Sequence, residues 1–263
     1  MEMKDLFPEN EKPLDRLCED GGFCRIFRTI GCIGDSLSSG EFEVFNADGA
    51  RICLDCFEYS WGQDIARRCG SKVYNFSRGG MMARWYLRDY ASQKGFWDDQ
   101  KACNAYIIAL GVNDISEVLA GRLTFGEVSD IHPEDYHQNA ETFLGYYGAI
   151  LQRYRQISPG ASVFLVSPPR SRADNEKRSE LYDRLRDALY RIAEMFERVY
   201  VIDLRAYAPV YDEAFNKKFF LNGHMNSAGY VLTGKMISSY IDYIVRQDPS
   251  AFDMAWKILP PQY

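Results

Sequence analysis

Thr29-Ile30-Gly31-Cys32-Ile33-Gly34-Asp35-Ser36-Leu37-Ser38-Ser39-Gly40 is an apolar run that breaks into small, polar and flexible residues. Such a run, closed by glycine, reads as a buried strand that delivers a tight turn, because Gly34 can take backbone angles closed to other residues. The turn sets the Ser36 hydroxyl at the carboxyl edge of a sheet. Asp35 and Ser36 equally suit turn or helix-capping duty, since their side chains bond nearby backbone N–H groups. The two readings part on whether the rest of the chain brings partners to Ser36.

The pattern around that turn recurs along the chain. A first strand is expected over 25–33, and further apolar runs at 73–76, 105–110, 162–166 and 199–204 read as four more. The run at 105–110 is nearly all apolar, as in a strand buried on both faces of a parallel sheet. Amphipathic segments lie between the strands. One is expected around 61–69. Another starts near Pro133, a residue suited to a first helical position, and carries Phe143, Tyr147, Ile150 and Tyr154 on one face. A third presents Leu181, Leu185, Leu189, Ile192 and Phe196, and the last presents Tyr230, Ile237, Ile241 and Ile244. Strands alternating with helices in this way imply an α/β fold, a parallel sheet covered on both faces, with ligands at the carboxyl ends of its strands. Two stretches depart from the alternation. Residues 41–56 contain the turn signal Asn46-Ala47-Asp48-Gly49 and read as an inserted hairpin or excursion. Residues 115–130 form a long mixed connection of the kind that serves as a lid or binding loop.

The 263 residues fit one domain, with a lead-in over 1–23 and a tail over 247–263 that carries Trp256 and Pro260-Pro261. Hydrophobic, aromatic and charged contents of 46%, 14% and 26% are those of a globular protein. A net charge of −6 repels phosphate backbones and anionic lipid, which argues against nucleic acid or a membrane surface as partner. The basic residues between Arg170 and Arg186 alternate with acids and read as a solvated helix face. Met1 to Pro13 is charged, and no segment reaches 18 uninterrupted apolar residues. The expectation is a cytoplasmic chain without a membrane span, or an extracytoplasmic one whose leader has been removed. The oligomeric state is not legible. Seven scattered cysteines suggest reduced thiols, and Cys53 with Cys56 forms a lone CxxC that lacks a second pair at zinc spacing. His132 and His137 read as surface or capping residues. Gly229, Gly234 and Lys235 have phosphate-loop spacing, but Met236 stands where Ser or Thr is needed, so neither a metal nor a cofactor is expected.

A serine hydroxyl is a weak nucleophile at neutral pH and needs a base nearby and donors for the oxyanion formed on attack. His224, at a loop-to-helix junction rich in Gly and Asn, is the candidate base. Asn113 follows the third strand and can aim its amide at the same oxyanion. The backbone N–H groups of Ser36 and of Gly80, with Gly79 as the alternative, would complete the hole. Each of these residues also has an ordinary reading as turn, cap or satisfied polar group. Their joint occurrence at strand ends and a helix start points to catalysis.

Gly34-Asp35-Ser36-Leu37, Gly80, Gly111-Val112-Asn113-Asp114, and His224 followed by Asn226 and Gly229-Tyr230 resemble the four signature blocks of the SGNH, or GDSL, hydrolases. The resemblance spans roughly residues 28 to 245. It implies a three-layer α/β/α sandwich with a flavodoxin-like five-stranded parallel sheet, and metal-independent ester hydrolysis through an acyl-serine. Ser36 would be nucleophile and oxyanion donor, Gly80 and Asn113 the other donors, and His224 the base. One position departs from the family: Leu221 stands three residues before the histidine, where an Asp usually sits. A Ser-His dyad held by a backbone carbonyl, a carboxylate from elsewhere in the chain, and a weakened or dead enzyme are then the alternatives. The tight turn at Asn222-Gly223 favours the dyad. For substrate, Trp85, Tyr86 and Trp97 could stack on the sugar of a carbohydrate acetyl ester, although core packing is the preferred reading of these aromatics. Two other functions remain beside the esterase: a non-catalytic anion- or ligand-binding module, with the helix after Ser36 holding a phosphate, and a degenerate member of the family.

Overall fold

The structure, a computed structural model, describes residues 6–252. After a 3-10 turn over Gly22–Ile26, the chain runs through β1 (Thr29–Gly34), α1 (Ser36–Ser39), β2 (Glu41–Phe45), β3 (Arg51–Asp55), α2 (Trp61–Cys69) and β4 (Lys72–Ser77). Two short helical turns follow, α3 (Ala83–Trp85) and α4 (Ala91–Gln93), and then β5 (Ala105–Ala109), α5 (Val112–Leu119), α6 (Phe143–Ile157) and β6 (Ser162–Ser167). The chain ends with α7 (Glu176–Met195), β7 (Val199–Asp203), α8 (Leu204–Tyr207), α9 (Glu213–Phe219), β8 (Phe220–Leu221), β9 (His224–Met225) and α10 (Ser227–Gln247).

Five strands form one parallel sheet in the order β4-β1-β5-β6-β7. Side chains alternate across a strand, so each strand feeds two cores. Ile33, Tyr106, Ile108, Val163 and Leu165 pack with Tyr147, Ile150, Leu185 and Leu189 of α6 and α7. Ile30, Cys32, Ile107 and Phe164 pack on the opposite face with Ile65 of α2 and Tyr230, Ile237 and Ile241 of α10. The result is the expected α/β/α sandwich. Two small antiparallel pairs stand apart from this sheet, β2 with β3 and β8 with β9, and both lie at the site.

Several expectations shift. The first strand begins at Thr29, not residue 25, because Gly21 and Gly22 at φ 81° and 51° turn the chain into the 3-10 turn. Gly34 is not left-handed. It is required for space, since a Cβ there would collide with the Ser38 side chain. The stretch after 115 is helical at first, with Ile115 of α5 in the core, and the connection runs from 120 to 142. No α-helix starts at Pro133. His132 N donates to Asn139 Oδ1 and Asn139 Nδ2 donates to Gln152 Oε1, which holds this segment as a loop, and α6 starts at Phe143 behind the Thr142 cap. Phe196 is extended and lies just past α7. The lead-in packs on α10, with Glu11 paired to Arg246 and Cys18 N bonded to Ser239 Oγ at 2.8 Å. Phe252 is buried against Phe27 and Tyr200. Trp256 and Pro260-Pro261 lie outside the described residues. Among the described residues, no helix is long and apolar enough to cross a membrane.

Candidate active site

Three strand ends and two hairpins meet at the carboxyl edge of the sheet. β1 ends at Gly34, and Asp35 caps α1 by accepting from Leu37 N at 3.1 Å, which sets Ser36 at the first helical position, half-buried. The Ser36 N–H, like that of Gly80, donates no hydrogen bond among the described residues. β4, beside β1, delivers the Arg78-Gly79-Gly80 turn. Gly80 sits at φ 71°, which glycine takes without steric cost, and its missing side chain faces open space. A Cβ on Gly79 would instead collide with the Glu41 carboxylate. β5 leads through Gly111 into α5, where Asn113 lies in the first turn. Its Nδ2 stands 3.1 Å from Met81 O and 3.5 Å from Asp35 Oδ2. One amide nitrogen therefore reaches both the Ser36 turn and the Gly79-Gly80 turn.

His224 opens β9, directly paired with Leu221 of β8, and the intervening turn has Asn222 at φ 58°. This pair packs against α1 and β2. The ring lies between two carboxylates: Nδ1 is hydrogen-bonded to Glu43 Oε2 at 3.1 Å, and Nε2 is 3.1 Å from Glu41 Oε1. Glu41 and Glu43 are two apart on β2 and so share one face of it, and both are buried. Arg51, across the ladder on β3, donates from Nη2 to the same Glu43 Oε2 at 2.9 Å. The backbone of β2 is tied down as well. Asn222 Nδ2 donates to Glu43 O at 2.9 Å and Tyr230 Oη donates to Glu41 O at 2.6 Å. Among the described residues no hydrogen bond joins Ser36 Oγ to His224.

Charge is managed by burial and by these partners. Burial would raise the Glu43 carboxyl, but hydrogen bonds from Arg51 and His224 outweigh it and hold the group below the usual range. Burial pushes Asp35 up to about 6 against the pull of the Leu37 N–H and His224. Asp114, fully buried behind Asn113, is pushed up to about 7 by the same cause; its Oδ1 accepts from Ala83 N at 2.9 Å and its Oδ2 has no partner among the described residues.

The four signature positions thus lie on the elements expected of them, Ser36 at the start of α1, Gly80 after β4, Asn113 in α5 and His224 before α10. The expected carbonyl at Asn222-Gly223 does not hold the ring. Asn222 instead clamps the strand of Glu43, and the carboxylate on Nδ1 comes from the stretch that the sequence marks as an inserted hairpin or excursion. The available signal was Glu41-Phe42-Glu43, two carboxylates at strand spacing. Of the three aromatics, Tyr86 is fully buried, Trp97 is half-buried against Tyr86 and Tyr154, and Trp85, 50% exposed, is the most open to solvent. Cys53 and Cys56 are free thiols, and Gly229, Gly234 and Lys235 lie within α10. His132 and His137 lie in the loop before α6, where His132 Nδ1 accepts from Asp135 N. Beside the turn is an apolar cavity of about 80 Å³, lined by Leu37, Val112 and Met225, the sequence neighbours of Ser36, Asn113 and His224, and by Leu110, Val166 and Tyr211.

A parallel α/β sheet that carries a glycine-aspartate-serine turn at its carboxyl edge, with asparagine in the first turn of a neighbouring helix and histidine on a neighbouring hairpin, defines an ester-hydrolysing class of enzyme. The chain belongs to the GDSL-like lipase/acylhydrolase family, whose model matches residues 32–232. Similar solved structures include a carbohydrate esterase family 2 enzyme from Clostridium thermocellum in complex with cellohexaose, at 14% identity and a TM-score of 0.56 over 92% of this chain and 67% of that one. A family 2 carbohydrate esterase with a carbohydrate-binding domain from Corynascus thermopiles (Myceliophthora fergusii) has 17% identity and a TM-score of 0.53 over 89% and 69%. A carbohydrate acetylesterase from Sinorhizobium meliloti has 15% identity and a TM-score of 0.53 over 82% and 99%. At these identities the likeness is one of fold. No curated protein matches the sequence.

Proposed function

We propose that this enzyme cleaves small carboxylic esters, acetyl esters of carbohydrate among them, through an acyl-Ser36 intermediate. Ser36 Oγ attacks the ester carbonyl while its proton passes to His224 Nε2, and His224 then returns that proton to the departing alkoxide. A water, deprotonated by the same ring, releases the carboxylic acid. The N–H groups of Ser36 and Gly80 and the Asn113 amide hold the oxyanion. Attack requires Nε2 to turn from Glu41 towards Ser36. The observation that carries this reading is the Asn113 amide, within 3.1 Å of Met81 O and 3.5 Å of Asp35, between two turns whose Ser36 and Gly80 N–H groups donate no hydrogen bond among the described residues. The small apolar cavity supports a short acyl group. The exposed Trp85 and the carbohydrate esterases of like fold support a sugar as the alcohol.

A chromogenic ester series from acetate to octanoate, run beside acetylated sugars, tests the proposal. Acetate is expected to be cleaved fastest, and Ser36→Ala and His224→Ala are each expected to lose at least about 10³-fold in kcat, as when a member of a comparable triad is removed. Full activity in either variant would end the proposal. The contact of Nε2 with Glu41 favours a second reading, a family member that does not turn over, for which no ester in the series would be cleaved. The anion-binding module gains no support, since α1 is only four residues long and Asp35, Glu41 and Glu43 crowd its approach.

A further inference from the structure

We infer that Glu43, delivered by the β2–β3 hairpin, is the positioning residue that orients His224, taking over from the sequence-local carboxylate that Leu221 replaces. The inference rests on the reading of His224 as the base. An imidazole that accepts a proton at Nε2 must carry its other proton at Nδ1, and a carboxylate on Nδ1–H fixes that tautomer and steadies the imidazolium that forms. Glu43 Oε2 is the hydrogen-bonded partner of Nδ1, at 3.1 Å, and it is buried and preset in three ways. Arg51 Nη2 bonds the same oxygen from the solvent side. Asn222 Nδ2 bonds the Glu43 carbonyl, so the turn that carries His224 also carries the clamp on the carboxylate's strand. Gly223 leaves the room: a Cβ there would stand 2.6 Å from Glu43 Oε2. Leu221, 41% exposed and paired with His224 across the β8–β9 ladder, brings no charge to the ring.

Glu41 does not serve the same purpose. It faces Nε2, the nitrogen that must serve Ser36, and a carboxylate held there competes with the hydroxyl. The other acids around the site are Asp35 before α1 and Asp55, opposite Glu41 on β3, with Arg51 behind Glu43 and the Cys53 thiol and Tyr230 hydroxyl on the Glu41 side. Removing the Glu43 charge withdraws support from the positive charge that forms on the ring during attack, and the acid limb of the rate profile is expected to move down.

The test compares wild type, Ser36→Ala, Glu43→Gln and Glu43→Gln/Leu221→Asp on the best ester, with pH profiles of kcat/KM. In Glu43→Gln, kcat is expected to fall about 10²- to 10⁴-fold, by analogy with the amide replacement in a serine triad, with KM within about threefold and the acid limb moved down by about one pH unit. In the double variant, a carboxylate on the residue paired with His224 is expected to restore kcat at least about tenfold, which recovery of a lost fold would not give. The inference is overturned by a Glu43→Gln enzyme whose kcat stays within about threefold of wild type, or whose kcat falls while its acid limb stays in place. If Ser36→Ala keeps full activity, the underlying esterase reading fails, and that outcome is separate from failure at Glu43 alone.

Discussion

Gly223 separates the imidazole of His224 from the chain that precedes it, and its lack of a side chain sets how near Glu43 can come. A methyl group there would press on Glu43 Oε2 at 2.6 Å, inside any real contact distance. Gly223→Ala should therefore displace the carboxylate and lower kcat about tenfold or more while the melting temperature stays nearly unchanged, since the turn is exposed. Activity equal to wild type would show that the ring does not depend on this contact. Ser36, Gly80, Asn113 and His224 were legible from sequence because each lies where an apolar run or a helix start breaks into small and polar residues. Glu43 was not, because its contact with His224 joins residues 181 positions apart and exists only once the chain folds back. Leu221 made the gap visible without saying what fills it.

At the scale of elements, the β2–β3 hairpin is the addition to a plain α/β sandwich that matters most. The turn signal Asn46-Ala47-Asp48-Gly49 announced a hairpin, and the ladder Glu41↔Asp55 to Phe45↔Arg51 forms around it. What the local pattern could not state is which neighbour the hairpin leans on. Its inner strand is held by α10 through the buried Tyr230 hydroxyl on Glu41 O, at 2.6 Å. Removal of that hydroxyl leaves a buried carbonyl without its donor, at a cost of about 1–3 kcal/mol. Tyr230→Phe should thus lower stability by that amount in urea melts and reduce kcat as the hairpin loosens, whereas an unchanged kcat would separate the anchoring of the hairpin from catalysis. The misplaced helix start at Pro133 has a similar cause. Pro133 suits a first helical turn, yet the side-chain bonds between His132, Asn139 and Gln152 hold the loop and delay α6 by ten residues.

The whole molecule balances two apolar cores against charge buried at the sheet edge. The two-sided packing follows from strands that are apolar on both faces, and this level was the most legible of all. The buried acids have a consequence for pH. Asp114 has a folded value of about 7 against an ordinary 3.8, so the folded state holds this proton more tightly than the unfolded chain does. The group's contribution is complete below about pH 4 and is lost as pH rises to about 7, at about 1.4 kcal/mol for each tenfold difference in proton affinity between the folded and unfolded chain. Asp35, at about 6, acts in the same direction over a narrower window. Wild type should lose stability between pH 5 and pH 8 in urea unfolding, and Asp114→Asn should lose less; identical slopes would contradict the burial of an ionising group there. Whether Ser36 is a nucleophile served by His224 is read from intact-mass and peptide mapping after treatment with a fluorophosphonate. One covalent adduct per chain is expected, located on Ser36, absent from Ser36→Ala and formed far more slowly in His224→Ala. A folded, ester-cleaving protein that takes up no label, or takes it up at another residue, would contradict that role for Ser36.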